Sequence, residues 1–171
     1  TEIPNRAKMM MDLQILIDEA FEKNEKVSIM VIDVDNLKRV NDSLGHSAGD
    51  ELLQRTANVL KGLCGENIFV YRFGGDEFLL VVKNVYSKDF MGTVGDTVIE
   101  ELNKVNIHAS AGIAMYPTDT TKVDELFQYA DMAMYEVKKN GKNNRSTAPG
   151  KGGFCRSDKA ERRRAPGDGI S

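Results

Sequence analysis

The chain has 171 residues with 23 Lys and Arg against 26 Asp and Glu, which gives a formal net charge of -3. That length suits one domain, and the slight acidic excess argues against a protein that mainly grips a nucleic-acid backbone. No run reaches the ~20 consecutive apolar residues of a membrane span, and the first residues lack a signal-peptide core. With Cys64 and Cys155 far apart and without metal-ligand spacing, the sequence predicts a cytoplasmic protein with neither membrane contact, disulfide framework nor zinc site.

The composition changes near residue 146. Residues 146–171 carry six basic and three acidic residues, many Gly and Pro, and little apolar periodicity. This segment is predicted to be a disordered basic tail, either native or left over from cloning. Residues 1–145 form the predicted domain, whose 17 basic and 23 acidic residues give a net charge of -6.

The domain alternates predicted helices and strands. In chain order the patterns predict a helix near 4–24, a strand from Val27 to the carboxylates at 33 and 35, a helix at 48–63, strands at 68–73 and 77–82, a helix at 87–104, a strand at 106–114 and a helix at 122–139. Gly74 and Gly75 are expected to supply the positive φ values of a hairpin turn between the second and third strands. This order predicts an α+β fold with a ferredoxin-like β-α-β-β-α-β core, a palm-like and mostly antiparallel sheet, and extra helices.

Two acidic pairs are expected to converge on this sheet. Asp33 and Asp35 end the first strand on one face, while Asp76 and Glu77 stand at the hairpin that neighbours it. Taken singly, each pair also fits a solvated strand end or an ordinary turn. Together they suit Mg²⁺, which takes one or two carboxylates plus substrate phosphates, and two such ions about 3.5–4 Å apart serve phosphoryl or nucleotidyl transfer.

The hairpin sequence resembles that of a known family. Arg72-Phe73-Gly74-Gly75-Asp76-Glu77-Phe78 is similar to the signature of the GGDEF domain. Supporting motifs follow the family order: Thr1 to Arg6, Ile32 to Asp42, Gly45-His46, Gly49-Asp50, Ser110 to Ala114, Ala130 to Tyr135, Lys138, and Gly141 to Asn143. The resemblance covers roughly residues 1–145. It implies a diguanylate cyclase, an enzyme that condenses two GTP into cyclic di-GMP and two pyrophosphates.

The resemblance also implies roles for the acidic residues and one lysine. Asp33, the Val34 carbonyl, Asp76 and Glu77 are expected to form the metal site, with two Mg²⁺ per active site and Mn²⁺ as a substitute. Asp76 or Glu77 would assist deprotonation of the ribose 3′-hydroxyl. Lys38 would steady the charge that develops on the phosphates, where a fixed cation is most useful.

Substrate contacts are implied at further positions. Asn41 and Asp50 would read guanine, because a carboxylate accepts from its N1–H and 2-amino groups together. The expected contacts with GTP also include His46, the Gly74 and Gly75 backbone, Lys138 and Lys142. The two lysines equally fit ordinary basic residues at a helix C-terminus.

The sequence departs from the family pattern at three places. Leu37 replaces a common Phe, and Lys142 replaces a common Arg, which keeps charge but loses bidentate geometry. Residues 65–68 lack the Arg-x-x-Asp pattern of a product-inhibition site, so we expect no feedback through that segment. The chain also begins inside a family motif, which indicates an excised catalytic domain whose upstream sensor or dimerisation region lies elsewhere.

Two GTP molecules must meet face to face, so the resemblance implies an antiparallel homodimer. A non-catalytic receptor for GTP or cyclic di-GMP is the alternative function, although degenerate receptors usually lose signature acids that are present here. A nucleic-acid polymerase palm also uses converging carboxylates. The acidic domain and its small size disfavour that interpretation.

Overall fold

The computed structural model describes residues 3–149, which form five helices and one five-stranded sheet. In chain order the elements are α1 (Arg6–Lys23), β1 (Val27–Val34), α2 (Leu37–Leu44), α3 (His46–Gly62), β2 (Ile68–Arg72), β3 (Glu77–Lys83), α4 (Lys88–Lys104), β4 (Ala109–Tyr116), α5 (Val123–Lys139) and β5 (Asn144–Thr147). No helix in this part of the chain is long and apolar enough to cross a membrane.

The sheet has the strand order β2-β3-β1-β4-β5. β1 pairs antiparallel with both β3 and β4, and β2 pairs antiparallel with β3. These four strands form the predicted ferredoxin-like core, so the fold prediction is confirmed. β5 adds a parallel edge strand beside β4.

Helices cover both faces of the sheet, and β1 lies at its centre. All eight residues of β1 are buried, which explains its continuous apolar run. Met30 and Ile32 pack in the cluster that includes α3 and α4, whereas Ile29 and Val31 pack in the cluster with α1 and α5. Because side chains alternate along a strand, Asp33 falls on the α1 and α5 face.

β4 and α5 approach each other unusually closely at Gly112. A Cβ at this position would lie 1.8 Å from the Ala130 carbonyl oxygen and 2.5 Å from the Met134 nitrogen, both backbone atoms of α5. Only glycine allows this separation without moving a helix. The contact therefore sets how α5 carries its C-terminal lysines past the end of β1.

The structure differs from the predicted elements at two places. α2 was not among the predicted elements; Leu37, Val40 and Leu44 do recur at helical spacing, but the helix is only eight residues long and buries none of them. It is separated from α3 by Gly45, whose φ of 86° ends one helix and begins the next.

The sheet also continues past the predicted domain boundary at 145. β5 pairs through Thr147, and the next residue, Ala148, is buried and donates its N–H to the Ile113 carbonyl at 2.7 Å. A four-residue polar edge strand has no alternating pattern from which to predict it. The rest of the predicted tail, with Cys155, lies outside the described residues.

Candidate active site

The two acidic motifs meet at one end of the sheet. Asp33 stands directly opposite Glu77 in the β1–β3 ladder, and the Val34 N–H donates to the Asp76 carbonyl at 3.3 Å. Residues directly opposite in a ladder share a face, so the Asp33 and Glu77 side chains lie on the same side of the sheet. The expected convergence of the acidic pairs is therefore observed in the backbone itself.

The hairpin turn differs in detail from the expectation. Neither Gly74 nor Gly75 has a positive φ, so the prediction that these glycines supply left-handed conformations is wrong. Gly74 instead gives room, since a Cβ there would lie 3.1 Å from Glu77 Oε2. Arg72, for which the sequence predicts no role, donates to the carbonyls of Gly74 at 3.3 Å and Gly75 at 2.7 Å. It thereby orients the turn that carries Asp76.

A cleft of about 360 Å³ opens between the end of β1, the start of α2, the hairpin and the end of α5. It brings together six of the predicted site residues: Asp33, Val34, Lys38, Asp76, Lys138 and Lys142. It also contains side chains for which no role was predicted, among them Asn36, Arg39 and Asp42. The predicted metal carboxylates and phosphate-binding lysines thus share one open cleft.

Two lysines of the cleft are held by partners from β1 and its loop. The Lys138 ammonium forms an ion pair with the Asp33 carboxylate, and Lys142 Nζ donates to Asn36 Oδ1 at 3.1 Å. Burial raises the pKa of Asp33 above its usual value, although the Lys138 charge opposes this shift. Burial alone would lower the pKa of Lys138, but the hydrogen bond and charge of Asp33 raise it. Lys138 is accordingly a fixed cation beside the predicted metal carboxylate.

Asp35 has a structural task rather than an open carboxylate. It is 8% exposed, and it accepts from Ser110 Oγ at 2.8 Å and from the Asn143 N–H at 2.9 Å. Asn143 and Lys142 both have positive φ, at 47° and 64°. Asp35 therefore fastens the irregular turn that presents Lys142, whereas the partner of Asp33 is the Lys138 ammonium in the cleft.

Glu77 is not among the side chains that line the cleft. Its carboxyl is partly buried, and burial raises its pKa, followed by the negative charges of Asp33, Asp131 and Asp76. A site that repels its own ionised carboxylate destabilises the fold while that group is charged. Its predicted place among the metal ligands remains a prediction.

Replacing Glu77 by Gln is expected to stabilise the domain in metal-free buffer at neutral pH. Because the pKa is raised on folding, ionised Glu77 costs stability above its unfolded pKa and costs nothing once it is protonated. Thermal unfolding with chelator should show a Tm higher by up to a few degrees at pH 7.5, with the gap closing near pH 4.5. Glu66→Gln, on an exposed loop, controls for net charge; an equal gain there would contradict the explanation.

The cleft offers the donor types of a substrate-completed metal site. Among residues 3–149 no group of three or more His, Cys, Asp or Glu side chains is arranged to hold a metal. Asp33 and Asp76 nevertheless supply two carboxylates, and Val34 adds a backbone oxygen in the same cleft. This set fits Mg²⁺, which binds through few protein oxygens and completes its coordination with phosphates and water.

The predicted guanine readers lie at the α2–α3 corner, outside the side chains that line the cleft. Asn41 is on α2, and the exposed His46 and Asp50 begin α3. Asn41 Oδ1 is buried without a hydrogen-bond partner and rests on Gly49, where a Cβ would lie 1.8 Å away. A buried polar atom that lacks a protein partner is a candidate for contact with a ligand.

Gly49→Ala is expected to displace the Asn41 side chain and weaken guanine nucleotide binding about tenfold, the effect of losing roughly one charge-assisted or buried hydrogen bond. The measurement is the KM for GTP. Gly62→Ala is the matched control, because Gly62 ends the same helix and has no atom near an added Cβ. Equal KM values in both variants would remove Asn41 from the guanine site.

Comparison with known proteins supports the family resemblance of the hairpin motif. The family described as "Diguanylate cyclase, GGDEF domain" matches residues 1–144. Diguanylate cyclase A of Treponema denticola is 30% identical over 143 residues, which are 79% of this chain and 38% of that protein. The cyclic di-GMP phosphodiesterase NbdA of Pseudomonas aeruginosa is 30% identical over 129 residues, 71% of this chain and 16% of that protein.

Among solved structures, the GGDEF domain of TpbB from Pseudomonas aeruginosa has a TM-score of 0.82 and 32% identity, and the match covers 86% of this chain and 97% of that one. The α+β sheet with an acidic cleft at its hairpin is thus found in a chain whose fold is that of known GGDEF domains. The chain belongs to the GGDEF family. It spans little more than a third of the first of the curated relatives it matches.

Proposed function

We propose that the chain is a metal-dependent diguanylate cyclase that condenses two GTP into cyclic di-GMP and two pyrophosphates. The observation that carries the proposal is the meeting of Asp33 and Asp76 in one cleft with the cation of Lys38. Lys38 makes no hydrogen bond or ion pair within residues 3–149, so it is available to phosphate. Family membership supports the same activity.

The reaction joins two nucleotides by two equivalent steps. In each step the 3′-oxygen of one GTP attacks the α-phosphorus of the other, the bond to the β-phosphate oxygen breaks, and pyrophosphate leaves. Asp33, the Val34 carbonyl and Asp76 would hold Mg²⁺, two ions per site or Mn²⁺ in its place, which supplies charge neutralisation at the phosphates. Asp76 or Glu77 accepts the 3′-hydroxyl proton.

The lysines of the cleft bind the phosphates of GTP, and the α2–α3 corner binds its guanine base. Lys38 stabilises negative charge on the departing pyrophosphate, and Lys138 and Lys142 contact the triphosphate from the end of α5. Asn41 and Asp50 read the guanine edge with His46 beside them, while the missing Cβ at Gly74 and Gly75 lets the hairpin backbone approach the nucleotide.

Catalysis requires a second copy of the domain. Each cleft holds one GTP, so two domains must face each other in an antiparallel homodimer before either 3′-oxygen reaches a phosphate. An upstream sensor or dimerisation region would raise the local concentration of the second copy. We place the enzyme in the cytoplasm.

The second candidate is a receptor that binds GTP or cyclic di-GMP without turnover. The Lys138–Asp33 ion pair favours it, because a carboxylate engaged by an ammonium is a weaker metal ligand. The intact Asp76 and the unengaged Lys38 favour the cyclase.

Incubation of the chain with GTP and Mg²⁺ tests the choice. The cyclase predicts one cyclic di-GMP per two pyrophosphates, with a rate per molecule that rises with protein concentration as dimers form. GTP binding without either product, in a sample shown to be dimeric, would support the receptor and contradict the cyclase.

Feedback by the product is expected to be absent at residues 65–68. The segment forms a turn in which the Gly65 N–H donates to the Ile68 carbonyl at 3.2 Å. The Ile68 side chain lines a small apolar cavity of about 120 Å³ rather than a charged site. No guanidinium is present in that segment to grip a guanine or a phosphate. Initial rates with micromolar cyclic di-GMP should equal those without it; inhibition that disappears on mutating residues 65–68 would contradict this prediction.

A further inference from the structure

The cleft contains one cation that neither the sequence pattern nor the proposed mechanism uses. Arg39 is the third residue of α2 and directly follows Lys38, and its side chain lines the cleft. It is exposed, and among the described residues it makes no hydrogen bond or ion pair. An arginine without a protein partner in a nucleotide cleft has all five of its N–H donors available.

No neighbouring side chain among the described residues engages this guanidinium. Asp42, one turn further along α2, also lines the cleft, yet no ion pair joins it to Arg39. The Asn36 side chain, which could cap the helix, is occupied by Lys142 instead. The first turn of α2 therefore presents two free basic side chains, Lys38 and Arg39, beside an uncapped and partly positive helix end.

The expected position of GTP in the cleft limits which of its phosphates Arg39 can contact. The α-phosphate must lie by Asp33 and Asp76, where bonds form and break. The β- and γ-phosphates then occupy the remaining wall of the cleft, which is lined by basic side chains of α2 and of the segment after α5. A planar guanidinium binds a phosphate through two parallel hydrogen bonds, which a lysine cannot do.

We propose that Arg39 binds the β- and γ-phosphates of GTP and so selects the triphosphate over nucleotides without them. Arg39 binds the phosphates and accepts no proton. From α2 it supplies the bidentate phosphate contact that Lys142 cannot make. This inference rests on the proposed function, since it assigns a further contact to the same substrate.

Equilibrium binding of 3′-deoxy-GTP and of GMP, both with Mg²⁺, tests the assignment, because neither ligand can be cyclised. Arg39→Gln should weaken 3′-deoxy-GTP binding by roughly five- to tenfold, the effect of one charge-assisted contact. GMP binding, measured by competition, should stay within about twofold. Arg39→Lys should fall between wild type and Arg39→Gln. Lys23→Gln, at the exposed end of α1, makes the same change in net charge away from the cleft and should match wild type.

Four outcomes would overturn the inference. Unchanged 3′-deoxy-GTP binding in Arg39→Gln would leave Arg39 without the contact, while the proposed function would stand. Equal weakening of 3′-deoxy-GTP and GMP, or equal weakening in Lys23→Gln, would show a general charge effect rather than a contact with the terminal phosphates. Absence of any guanine nucleotide binding by the wild type would overturn both proposals.

Discussion

Asp76→Asn is expected to lower the rate of cyclic di-GMP formation by about 10²-fold or more, while the domain stays folded. The substitution keeps the shape of the side chain but removes the negative charge that holds a divalent ion. Asp76 is the acid that the hairpin turn brings to the end of β1, where Asp33 is already engaged with Lys138. Without the charge at Asp76, the only proposed metal carboxylate left in the cleft is Asp33, which is already paired with Lys138.

The matched comparison is Asp42→Asn, which removes a charge from the same cleft outside the proposed metal set. We expect it to reduce the rate by less than tenfold, in line with a local electrostatic effect of about 1 kcal/mol. Initial rates of pyrophosphate release at saturating Mg²⁺ and GTP distinguish the two variants. An Asp76→Asn enzyme that keeps more than a tenth of wild-type activity would contradict the assignment.

Gly112→Ala is expected to cost about 3 kcal/mol of folding free energy, at the upper end of the range for overpacking. The added Cβ would meet the Ala130 carbonyl oxygen and the Met134 nitrogen, at 1.8 Å and 2.5 Å. Backbone atoms within a helix cannot rotate away as a side chain can. Relief requires α5 to move off the sheet, which would also shift Lys138 from Asp33.

Thermal unfolding measures this effect, and a Tm lower by roughly 6–12 °C corresponds to it. Gly65→Ala is the control, because no atom lies within 4 Å of an added Cβ there. A Gly112→Ala domain with the Tm of wild type would show that the β4–α5 contact adjusts without cost.

The central part of the site could be predicted because its signals are local and strong. The apolar run of β1 ends at Asp33, and the hairpin motif places Asp76 on the neighbouring strand, so ferredoxin-like topology alone brings the two acids together. The roles of Lys38, Asn41 and Asp50 follow from the resemblance to a family, because hydrophobic periodicity does not indicate them.

Other features depend on tertiary contacts that leave no sequence pattern. Asp35 looks like a second ligand beside Asp33 until Ser110 and the Asn143 N–H are seen to occupy its oxygens. The hydrogen bonds of Arg72 to the turn carbonyls depend on the path of the hairpin, which does not use positive φ. β5 was missed because a polar strand that pairs at one edge needs no apolar alternation.

Guanine nucleotide is expected to bind in the cleft at Asp33 and Asp76 together with a divalent ion. Calorimetric titration of 3′-deoxy-GTP into wild type and Asp33→Asn, each with Mg²⁺ and with chelator, tests it independently of dimerisation. We expect saturable binding to wild type with Mg²⁺, binding weakened at least tenfold by chelator or by Asp33→Asn, and little binding of 3′-deoxy-ATP. Nucleotide binding that is equally tight without Mg²⁺ and in Asp33→Asn would contradict it.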